Sequence, residues 1–594
     1  MRLFEPYKLW KTILKNFSYK NIFLKNQKVS DFNRSDCFYV CCIMILALLF
    51  RIFLLRYRFA VSFDEVNYLK LAATGAIEGL GYVFHTYWSP FYPLVVALFS
   101  KVTPDFEWVG RMVSIITGVL VIIPIYLFSH KYFGRKVAKY TASLLAFYPS
   151  LAFFNTRAQT ESLYILLITI AVLIGWKVLQ NQSKPLAFLT GILFGCAYLT
   201  KPEGIGFLVV FSAVLFVYII YYLLKKRNTL PWILVGLVMA GGFIAVSIPY
   251  LLYLKQKTGV WTISAKGKAN QQFEAHATGL TGVKGDPFRT LSKDNTEVAI
   301  DQIYHIGSFV QAEQQRGTPT VPVRPYVVLR KYLENLYKVI AFAINNAMTS
   351  VLLILTVLGL FGSAWKRERT KRELYLMAYF IFFWLIVIPM FHINNRYFLP
   401  LLPLCFIWIG NGFAVIVAWL QQTMFQTITF KKLRTFIPKF ALILITSAIV
   451  IGLYLPQLGR VMLRSPWSLE YWADPVEQKS AGEWIKKHST QKPVIMSRGH
   501  TVDFYAGNYN IAESVTVPRN ELSRVLAYAK HRGVNYLVLN ERYRSGYPEI
   551  SHLLDAKQVP DELRLVYQEE KKPGLKVVVY EICAVDVKLE YHVK

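Results

Sequence analysis

Residues 58–70 read Arg58-Phe-Ala-Val-Ser-Phe-Asp-Glu-Val-Asn-Tyr-Leu-Lys70, and they follow directly on the hydrophobic run 37–55. This stretch places two adjacent carboxylates, Asp64 and Glu65, just beyond the end of the first predicted membrane span. Because a charged group costs free energy near hydrocarbon, acids at such a position usually serve a functional site. The junction therefore predicts a membrane protein whose chemistry takes place at the membrane surface.

The composition supports an α-helical, polytopic membrane protein. The chain has 594 residues, of which 54% are hydrophobic and only 17% are charged, whereas a soluble domain carries roughly 25% charged residues. Many uncharged runs approach the ~20 residues that cross a bilayer as a helix. The net charge of +31 does not indicate nucleic-acid binding, because the surplus Lys and Arg lie in the N-terminal arm and between hydrophobic segments, where charges set membrane topology.

About eleven hydrophobic segments are predicted to cross the membrane. Their bounds are 37–55, 108–128, 137–154, 160–179, 186–200, 204–224, 231–253, 336–363, 373–391, 397–420 and 438–457. With the N-terminus inside the cell, every short basic loop falls on the cytosolic side, as the positive-inside rule requires. We expect a multi-pass protein of the bacterial inner (cell) membrane whose unusual polar residues all face outward.

The segments divide the chain into three parts. Residues 1–36 form a basic cytosolic arm, and residues 37–457 form the transmembrane domain. Two long external loops interrupt this domain, a first loop at 56–107 and a second at 254–335. The tail, 458–594, changes composition and predicts a small extracytoplasmic α/β domain. Its predicted strands are Pro493–Met496, Tyr536–Leu539 and Leu575–Tyr580, and its predicted helices run from about Pro475 to Lys487 and from about Arg519 to Arg532.

The first external loop offers acids and aromatic residues. Asp64 and Glu65 begin a helical segment, in which Tyr68 lies one turn after Asp64 on the same face. Asp64 is also a plausible helix N-cap, which is a purely structural role. The run His85-Thr-Tyr-Trp88 follows. Its aromatic residues either anchor the loop at the interface or form a wall for a sugar or prenyl chain, and His85 either ligates a metal or is simply hydrogen-bonded.

Three cations are predicted to lie on the same face of the membrane. Arg157 lies four residues before Glu161, so the two could equally form a structural ion pair within a helix. Lys201 and Glu203 occupy the tight turn Thr200-Lys-Pro-Glu-Gly204, where a lysine can also reach the interface without any function. Arg396 precedes Tyr397 at the external entrance of a span, against the usual bias for cytosolic cations. Such an arginine is well suited to bind phosphate.

Cations and acids that lie together on one face of the membrane suit an anionic lipid donor and a hydroxyl acceptor. Transfer from a phosphate-linked sugar needs a base for the acceptor proton and cations for the leaving phosphate. Two other functions compete with this one. A lipid-linked sugar transporter or flippase would place its charges near the bilayer midplane, in repeated halves. A membrane scaffold would leave the positions of Asp64, Glu65 and Arg396 without a purpose.

The same residues resemble the GT-C superfamily of glycosyltransferases that use polyprenyl-phosphate sugars, and most nearly the bacterial protein O-mannosyltransferase-like and aminoarabinose lipid A transferase families. The resemblance covers about residues 40–420. It is carried by Asp64-Glu-Val-Asn-Tyr68, by Arg157 to Glu161, by Tyr198-Leu-Thr-Lys-Pro-Glu-Gly204 and by Arg396-Tyr-Phe-Leu-Pro400. The first of these motifs is the most specific.

The resemblance implies an inverting transfer in which polyprenyl phosphate leaves. Asp64 would activate the acceptor hydroxyl and Glu65 would assist binding. Glu161 falls where relatives often carry Asp, and Lys201 falls where many carry Arg. The implied site therefore has catalytic acids Asp64, Glu65 and Glu161, donor phosphate ligands Arg157, Lys201 and Arg396, and substrate-binding residues Tyr68, His85, Trp88, Glu203 and Tyr397.

The remaining expectations concern cofactors and partners. Some superfamily members use a divalent metal, and Asp64, Glu65, Glu161 and His85 offer ligands for one. We expect transfer that requires no cofactor. The expected partners are a polyprenyl-phosphate sugar donor and an acceptor that is a lipid, a glycan or a protein. The sequence names neither the sugar nor the acceptor, and it assigns no chemistry to the tail.

Overall fold

The computed structural model describes most of the chain between residues 33 and 583. It covers 33–427 except 63, 267–290, 297, 299–324, 345–347, 391, 392 and 394, a few positions between 448 and 459, and 474–583 except 556–558. Nearly all of the predicted arm 1–36 and most of the predicted span 438–457 lie outside the described residues. Within them, a bundle of membrane-spanning helices carries a small domain with a mixed sheet, which confirms the predicted fold class.

Seven helical segments in the described part of the chain are long and apolar enough to cross a membrane. They are Arg34–Tyr57, Phe106–Phe133, Glu161–Asn181, Gly204–Leu224, Leu230–Thr258, Arg367–Met390 and Leu399–Gln422. The shorter apolar helices Lys184–Thr200 and Ser350–Phe361 lie among them.

The individual helices of the transmembrane domain are numbered here in chain order. They are α1 (Arg34–Leu54), α2 (Asp64–Ile77), α3 (Phe91–Phe99), α4 (Phe106–Leu120), α5 (Ile122–Phe133), α6 (Arg135–Ala146), α7 (Pro149–Phe154), α8 (Glu161–Asn181), α9 (Lys184–Thr200), α10 (Gly204–Leu224), α11 (Leu230–Thr258), α12 (Pro325–Lys338), α13 (Ser350–Phe361), α14 (Arg367–Phe380) and α15 (Leu402–Thr427).

Two predicted spans are wrong as single helices. The predicted span 137–154 is divided into α6 and α7, and Tyr148 between them is extended, with φ −64° and ψ 109°. The cause is Pro149, since the ring of a proline disfavours the helical conformation of the residue before it. The predicted span 336–363 is interrupted before α13, where Thr349 has a left-handed backbone with φ 66°.

Close packing between α9 and α11 fixes the turn that follows α9. A β-carbon at Gly191 would collide with the Met239 carbonyl, and one at Gly242 would collide with the Phe188 carbonyl. Small residues at such crossings let two helix backbones approach, as is common in membrane helix pairs. Since α9 ends at Thr200 and α10 begins at Gly204, this packing holds the turn between them at the end of the bundle that is predicted to be external.

The C-terminal domain is built on a five-stranded sheet with the order β2-β1-β3-β5-β4. Its strands are β1 (Ile495–Ser497), β2 (Val515–Thr516), β3 (Tyr536–Asn540), β4 (Leu563–Glu570) and β5 (Lys576–Ile582), and its helices are α16 (Val476–His488), α17 (Thr501–Tyr505) and α18 (Leu522–His531). Strands β2, β1 and β3 are parallel, whereas β5 is antiparallel to β3 and β4. The sequence did not predict β2, which has only two residues, or the largely exposed β4.

This domain packs directly on the first external loop. The hydrophobic core of the transmembrane domain also includes Val476, Phe504, Tyr505 and Ile511. The ring of Tyr509 packs edge to face on Phe106, with centroids 5.3 Å apart. The loop is therefore enclosed between the membrane helices and the C-terminal domain.

Candidate active site

Asp64 pairs with Arg396 at the start of α2. The Arg396 guanidinium donates to Asp64 Oδ2 across 2.8 Å. The side chain of Asp64 is 27% exposed and that of Arg396 is 28% exposed, so the pair remains reachable from outside. The structure thus brings together two residues that the sequence assigned separately, one as a base and one as a phosphate ligand.

The surrounding charges keep Asp64 ionised. Burial raises the pKa of this carboxyl group, but the positive charges of Lys266 and Arg396 outweigh burial, and the pKa lies below its ordinary value of 3.8. Burial lowers the pKa of the Arg396 guanidinium, but the negative charges of Asp64 and Glu161 outweigh burial and hold the pKa above its ordinary value. Both members of the pair are therefore charged at neutral pH.

A second ion pair lies behind the first. Lys201 Nζ donates to Glu161 Oε1 across 3.0 Å, and this pair is more buried, at 12% and 4% exposure. Burial lowers the pKa of Lys201, but the charges of Glu161 and Glu203 outweigh it and raise the pKa above its ordinary value. The predicted helix pair between Arg157 and Glu161 is thus replaced by a pair between α8 and the turn after α9.

Aromatic rings surround the two ion pairs. Tyr68 is buried and packs edge to face on Trp88, with centroids 5.3 Å apart. Burial raises the pKa of Tyr68 well above its ordinary value, and the nearby negative charges of Asp64, Glu161 and Glu203 raise it further. Its phenol therefore stays protonated.

Tyr397 forms another side of the site. Lys201 Nζ lies 5.9 Å from its ring centroid, and the Arg396 guanidinium lies 5.3 Å from the same centroid. Two cations from separate parts of the chain thus share one aromatic face. Glu203 is exposed beside them and acts through its charge.

Lys266 is a residue that the sequence analysis missed. It comes from the second external loop, and its ammonium lies 5.1 Å from the Tyr87 ring centroid and 5.0 Å from that of Trp88. Its positive charge helps to hold the pKa of Asp64 below the ordinary value. A signal for it exists in the sequence, because Ala265-Lys-Gly-Lys268 is a basic run on the external side, where the positive-inside rule disfavours cations.

Glu65 and His85 accept hydrogen bonds from backbone N–H groups. The carboxylate of Glu65 is buried and accepts from the backbone N–H of Ser62 at 3.0 Å and of Ala158 at 3.1 Å. His85 Nδ1 accepts from the backbone N–H of Tyr87 at 3.0 Å, and burial lowers the pKa of His85 to about 4. These contacts favour supporting roles over the catalytic role predicted for Glu65 and the substrate contact predicted for His85.

Arg157 lies in the turn before α8. Its guanidinium is 5.3 Å from the ring centroid of Phe154. Among the described residues its Nε is buried without a hydrogen-bond partner, and the ion pairs found there do not include it. Its assignment as a phosphate ligand stays a prediction.

The acids do not converge as metal ligands do. Within the ranges that the structure describes, no three His, Cys, Asp or Glu side chains are grouped so that they could hold a metal ion. Asp64 is engaged by Arg396, Glu161 by Lys201, and Glu65 by backbone amides. The transfer reaction proposed for this site therefore assigns no step to a metal.

Comparisons with known proteins find one family profile and several similar folds. Residues 87–253 match the sequence profile of the family described as dolichyl-phosphate-mannose-protein mannosyltransferase. No curated protein sequence matches the chain.

Solved structures share the fold. ArnT from Cupriavidus metallidurans, solved with undecaprenyl phosphate bound, is 13% identical with a TM-score of 0.53, and the match covers 91% of this chain and 98% of ArnT. The apo oligosaccharyltransferase from Archaeoglobus fulgidus is 12% identical with a TM-score of 0.52, covering 85% of this chain and 70% of that protein.

The ArnT match extends over almost the whole of both chains, so the small C-terminal domain belongs to the shared architecture. The profile match covers the stretch that holds Trp88, Arg157, Glu161 and Lys201. The chain is therefore similar over residues 87–253 to the dolichyl-phosphate-mannose-protein mannosyltransferase family, and it shares its fold with ArnT and the archaeal oligosaccharyltransferase.

Proposed function

We propose that this enzyme transfers a sugar from a polyprenyl-phosphate donor to an acceptor hydroxyl on the extracytoplasmic face of a bacterial cell membrane, with inversion and without a required metal. The observation that carries the proposal is the ion pair between Asp64 and Arg396, which lies at the mouth of the site and remains partly exposed. An anion-binding group and a base are thus adjacent, as the transfer requires.

The cations define where the donor phosphate binds. Arg396, Lys201 and Lys266 supply three positive charges, and Asp64, Glu161 and Glu203 supply three negative ones. The three cations are the groups of this cluster that can bind an anionic ligand. A planar guanidinium can engage two phosphate oxygens at once, so Arg396 is the natural primary ligand.

Phosphate binding would also prepare the base. When the donor phosphate binds Arg396, Asp64 loses the ion pair that holds its pKa down. The affinity of the Asp64 carboxylate for a proton then rises. The acceptor hydroxyl then gives its proton to Asp64 while its oxygen attacks the anomeric carbon. The bond between that carbon and the phosphate oxygen breaks, and polyprenyl phosphate leaves with one additional negative charge, which the three cations stabilise.

Inversion follows from this single displacement. The phosphate is held on the side of Arg396, and the acceptor attacks from the opposite face of the sugar. A double displacement would need a free carboxylate at the anomeric carbon, whereas Asp64 is the proposed base for the acceptor proton and Glu161 is engaged by Lys201. The acceptor class is proposed only as a hydroxyl-bearing glycolipid, surface glycan or protein.

The experiment is sugar transfer by the purified full-length enzyme. A panel of labelled polyprenyl-phosphate sugars is offered with a membrane extract that supplies acceptors, and the anomeric configuration of the product is determined. Wild type should transfer from one donor, and Asp64→Asn should lose about 10²–10⁴-fold in rate while it still binds the lipid. Glu78→Gln is the matched control, because Glu78 is an exposed acid in the same loop. Binding of every donor without transfer by wild type would refute the proposal and favour a lipid flippase.

A further inference from the structure

The C-terminal domain contacts the chain on both sides of Asp64. Before it, the backbone N–H of Phe59 donates to Asp474 Oδ2 at 3.2 Å, and that of Val61 donates to the Tyr505 hydroxyl at 2.9 Å. The same hydroxyl donates to Glu107 Oε2 at 3.0 Å. The segment before α2 is therefore hydrogen-bonded through its backbone to side chains of the C-terminal domain.

After Asp64, the contacts continue along α2. Lys70 is fully buried, and its ammonium donates to Ser514 Oγ at 2.5 Å and lies 3.5 Å from Asp503 Oδ2. One turn further, the Thr74 hydroxyl donates to the Tyr509 carbonyl at 3.0 Å. Lys70 follows Asp64 by six residues in one rigid helix, so the two lie about 9 Å apart along its axis.

The ion pair between Lys70 and Asp503 would be costly in free energy to separate. Both side chains are buried, and a buried charge without its partner costs several kcal/mol. Asp503 also lies 3.4 Å from His500 Nδ1, which adds a second donor to the same carboxylate. Movement of α2 away from the C-terminal domain would separate these groups, so the pair holds the helix in one place.

The domain does not need these contacts to form its own core. Val525, Tyr528, Leu537 and Leu539 belong to a hydrophobic cluster that the domain forms with its own strands and with Leu291 and Val298 of the second loop. The contacts with the first loop come instead from Asp474, Asp503, Tyr505, Tyr509 and Ser514. Folding of the domain and fixing of the loop can therefore be separated by mutation.

We propose that the C-terminal domain is a clamp that sets the position of the Asp64 carboxylate for catalysis, with Lys70, Asp503 and Tyr505 as its positioning residues. The inference rests on the proposed role of Asp64 and adds a function for the tail, to which the sequence assigned none. A displacement of about 1 Å of a reacting group can cost about a hundredfold in rate. The clamp should therefore act on the rate of transfer and leave donor binding to Arg396 and Lys201.

The test compares kcat, lipid affinity and thermal stability in the full-length protein. The variants are Asp503→Asn, Lys70→Met, the double variant of these two, and Tyr505→Phe, which removes only a hydroxyl. Val525→Ala is the control, because it weakens the core of the same domain away from the first loop. Wild type and Asp64→Asn are purified and measured in parallel under the same conditions. Only the comparison of these two proteins decides whether the proposed function holds.

We expect Asp503→Asn and Tyr505→Phe to lower kcat about ten- to a hundredfold with polyprenyl-phosphate affinity kept. The double variant should lose no more kcat than the more impaired of Asp503→Asn and Lys70→Met, since both substitutions act through one contact. Val525→Ala should lower the unfolding temperature and keep kcat. An unchanged kcat in Tyr505→Phe, additive losses in the double variant, or an equal loss of kcat in Val525→Ala would each overturn the clamp while wild-type transfer stands.

Discussion

Arg396 donates a hydrogen bond of 2.8 Å to Asp64, and the two residues are 332 positions apart in the chain. The contact joins the external entrance of a late span to the first external loop. It pairs the strongest candidate for phosphate binding with the strongest candidate base. In the proposed mechanism, donor binding and activation of the base are therefore coupled through this one contact.

The first prediction concerns pH. Because the pKa of Asp64 lies below 3.8 in the folded protein, its carboxylate remains a base until the pH falls through that lowered value. The acid limb of kcat/KM, which reports the free enzyme, should therefore lie below pH 3.8 in wild type. Arg396→Gln removes one of the charges that lower this pKa, so the limb should move to higher pH.

Arg396→Gln should also weaken donor binding, and Arg396→Lys should recover part of it, because lysine keeps the charge and loses the bidentate geometry. Arg330→Gln serves as the control, since Arg330 is an exposed arginine of α12 paired only with Glu334 in the described part of the chain. If the acid limb stayed in place in Arg396→Gln, the ion pair would not be setting the protonation of the base.

The second prediction concerns the pair between Glu161 and Lys201. Lys201→Met leaves a buried carboxylate without its cation, whereas Lys201→Met combined with Glu161→Gln leaves no charge behind. Removing one partner of a buried pair is more damaging than removing both. We therefore expect the double variant to unfold at a higher temperature than Lys201→Met in detergent, although it should still bind donor more weakly than wild type.

Thermal unfolding of the two single variants and the double variant gives the coupling directly. Lys371→Met with Glu368→Gln is a matched control, because that pair is exposed on α14 and should show almost no coupling. Equal unfolding temperatures for Lys201→Met and the double variant would mean that the pair contributes nothing to the fold.

Sequence patterns predicted the acids and cations of the site but not their pairing. Hydrophobic runs and loop charges locate spans, and an external Arg396 or a basic turn at Lys201 is visible from that placement alone. The partner of each charge depends on how helices far apart in the chain pack together. The sequence offered Arg157, four residues away, as a structural alternative partner for Glu161, whereas the fold pairs Glu161 with Lys201.

The same reason explains what the sequence missed. Lys266 lies in a long loop with little hydrophobic pattern, so no periodicity marks it. Lys70 looked like an ordinary residue of a loop helix, and only the fold shows that it is buried against Asp503. The two spans divided at Tyr148 and at Thr349 show a related limit, because local backbone conformation interrupts a mostly apolar run.

The third prediction concerns Lys266. Its ammonium lies against Tyr87 and Trp88, and its charge helps to lower the pKa of Asp64. Lys266→Met should therefore weaken polyprenyl-phosphate binding, by less than Arg396→Gln, and should shift the acid limb of kcat/KM to higher pH. Lys257→Met is the control, since Lys257 is an exposed lysine near the end of α11. Lipid affinity and a pH profile that both match wild type would remove Lys266 from the site.

The last prediction separates the two adjacent acids. Asp64 is partly exposed and pairs with a movable side chain, whereas both oxygens of Glu65 accept from backbone N–H groups of the first loop and of the turn before α8. Glu65→Gln would place an NH₂ group against one of those N–H donors, and an unmet buried donor costs about 1–3 kcal/mol. It should therefore lower the unfolding temperature and activity together.

Asp64→Asn should show the opposite combination, with activity lost and stability almost unchanged, because its role is to take a proton. The residual activity of Glu65→Gln should keep the acid limb of wild type, since the base and its cations are still present. Measuring unfolding temperature and the pH profile of both variants side by side decides the assignment. A Glu65→Gln protein as stable as wild type but inactive would make Glu65 a participant in the chemistry, and the tie between the first loop and the turn before α8 would then not be its function.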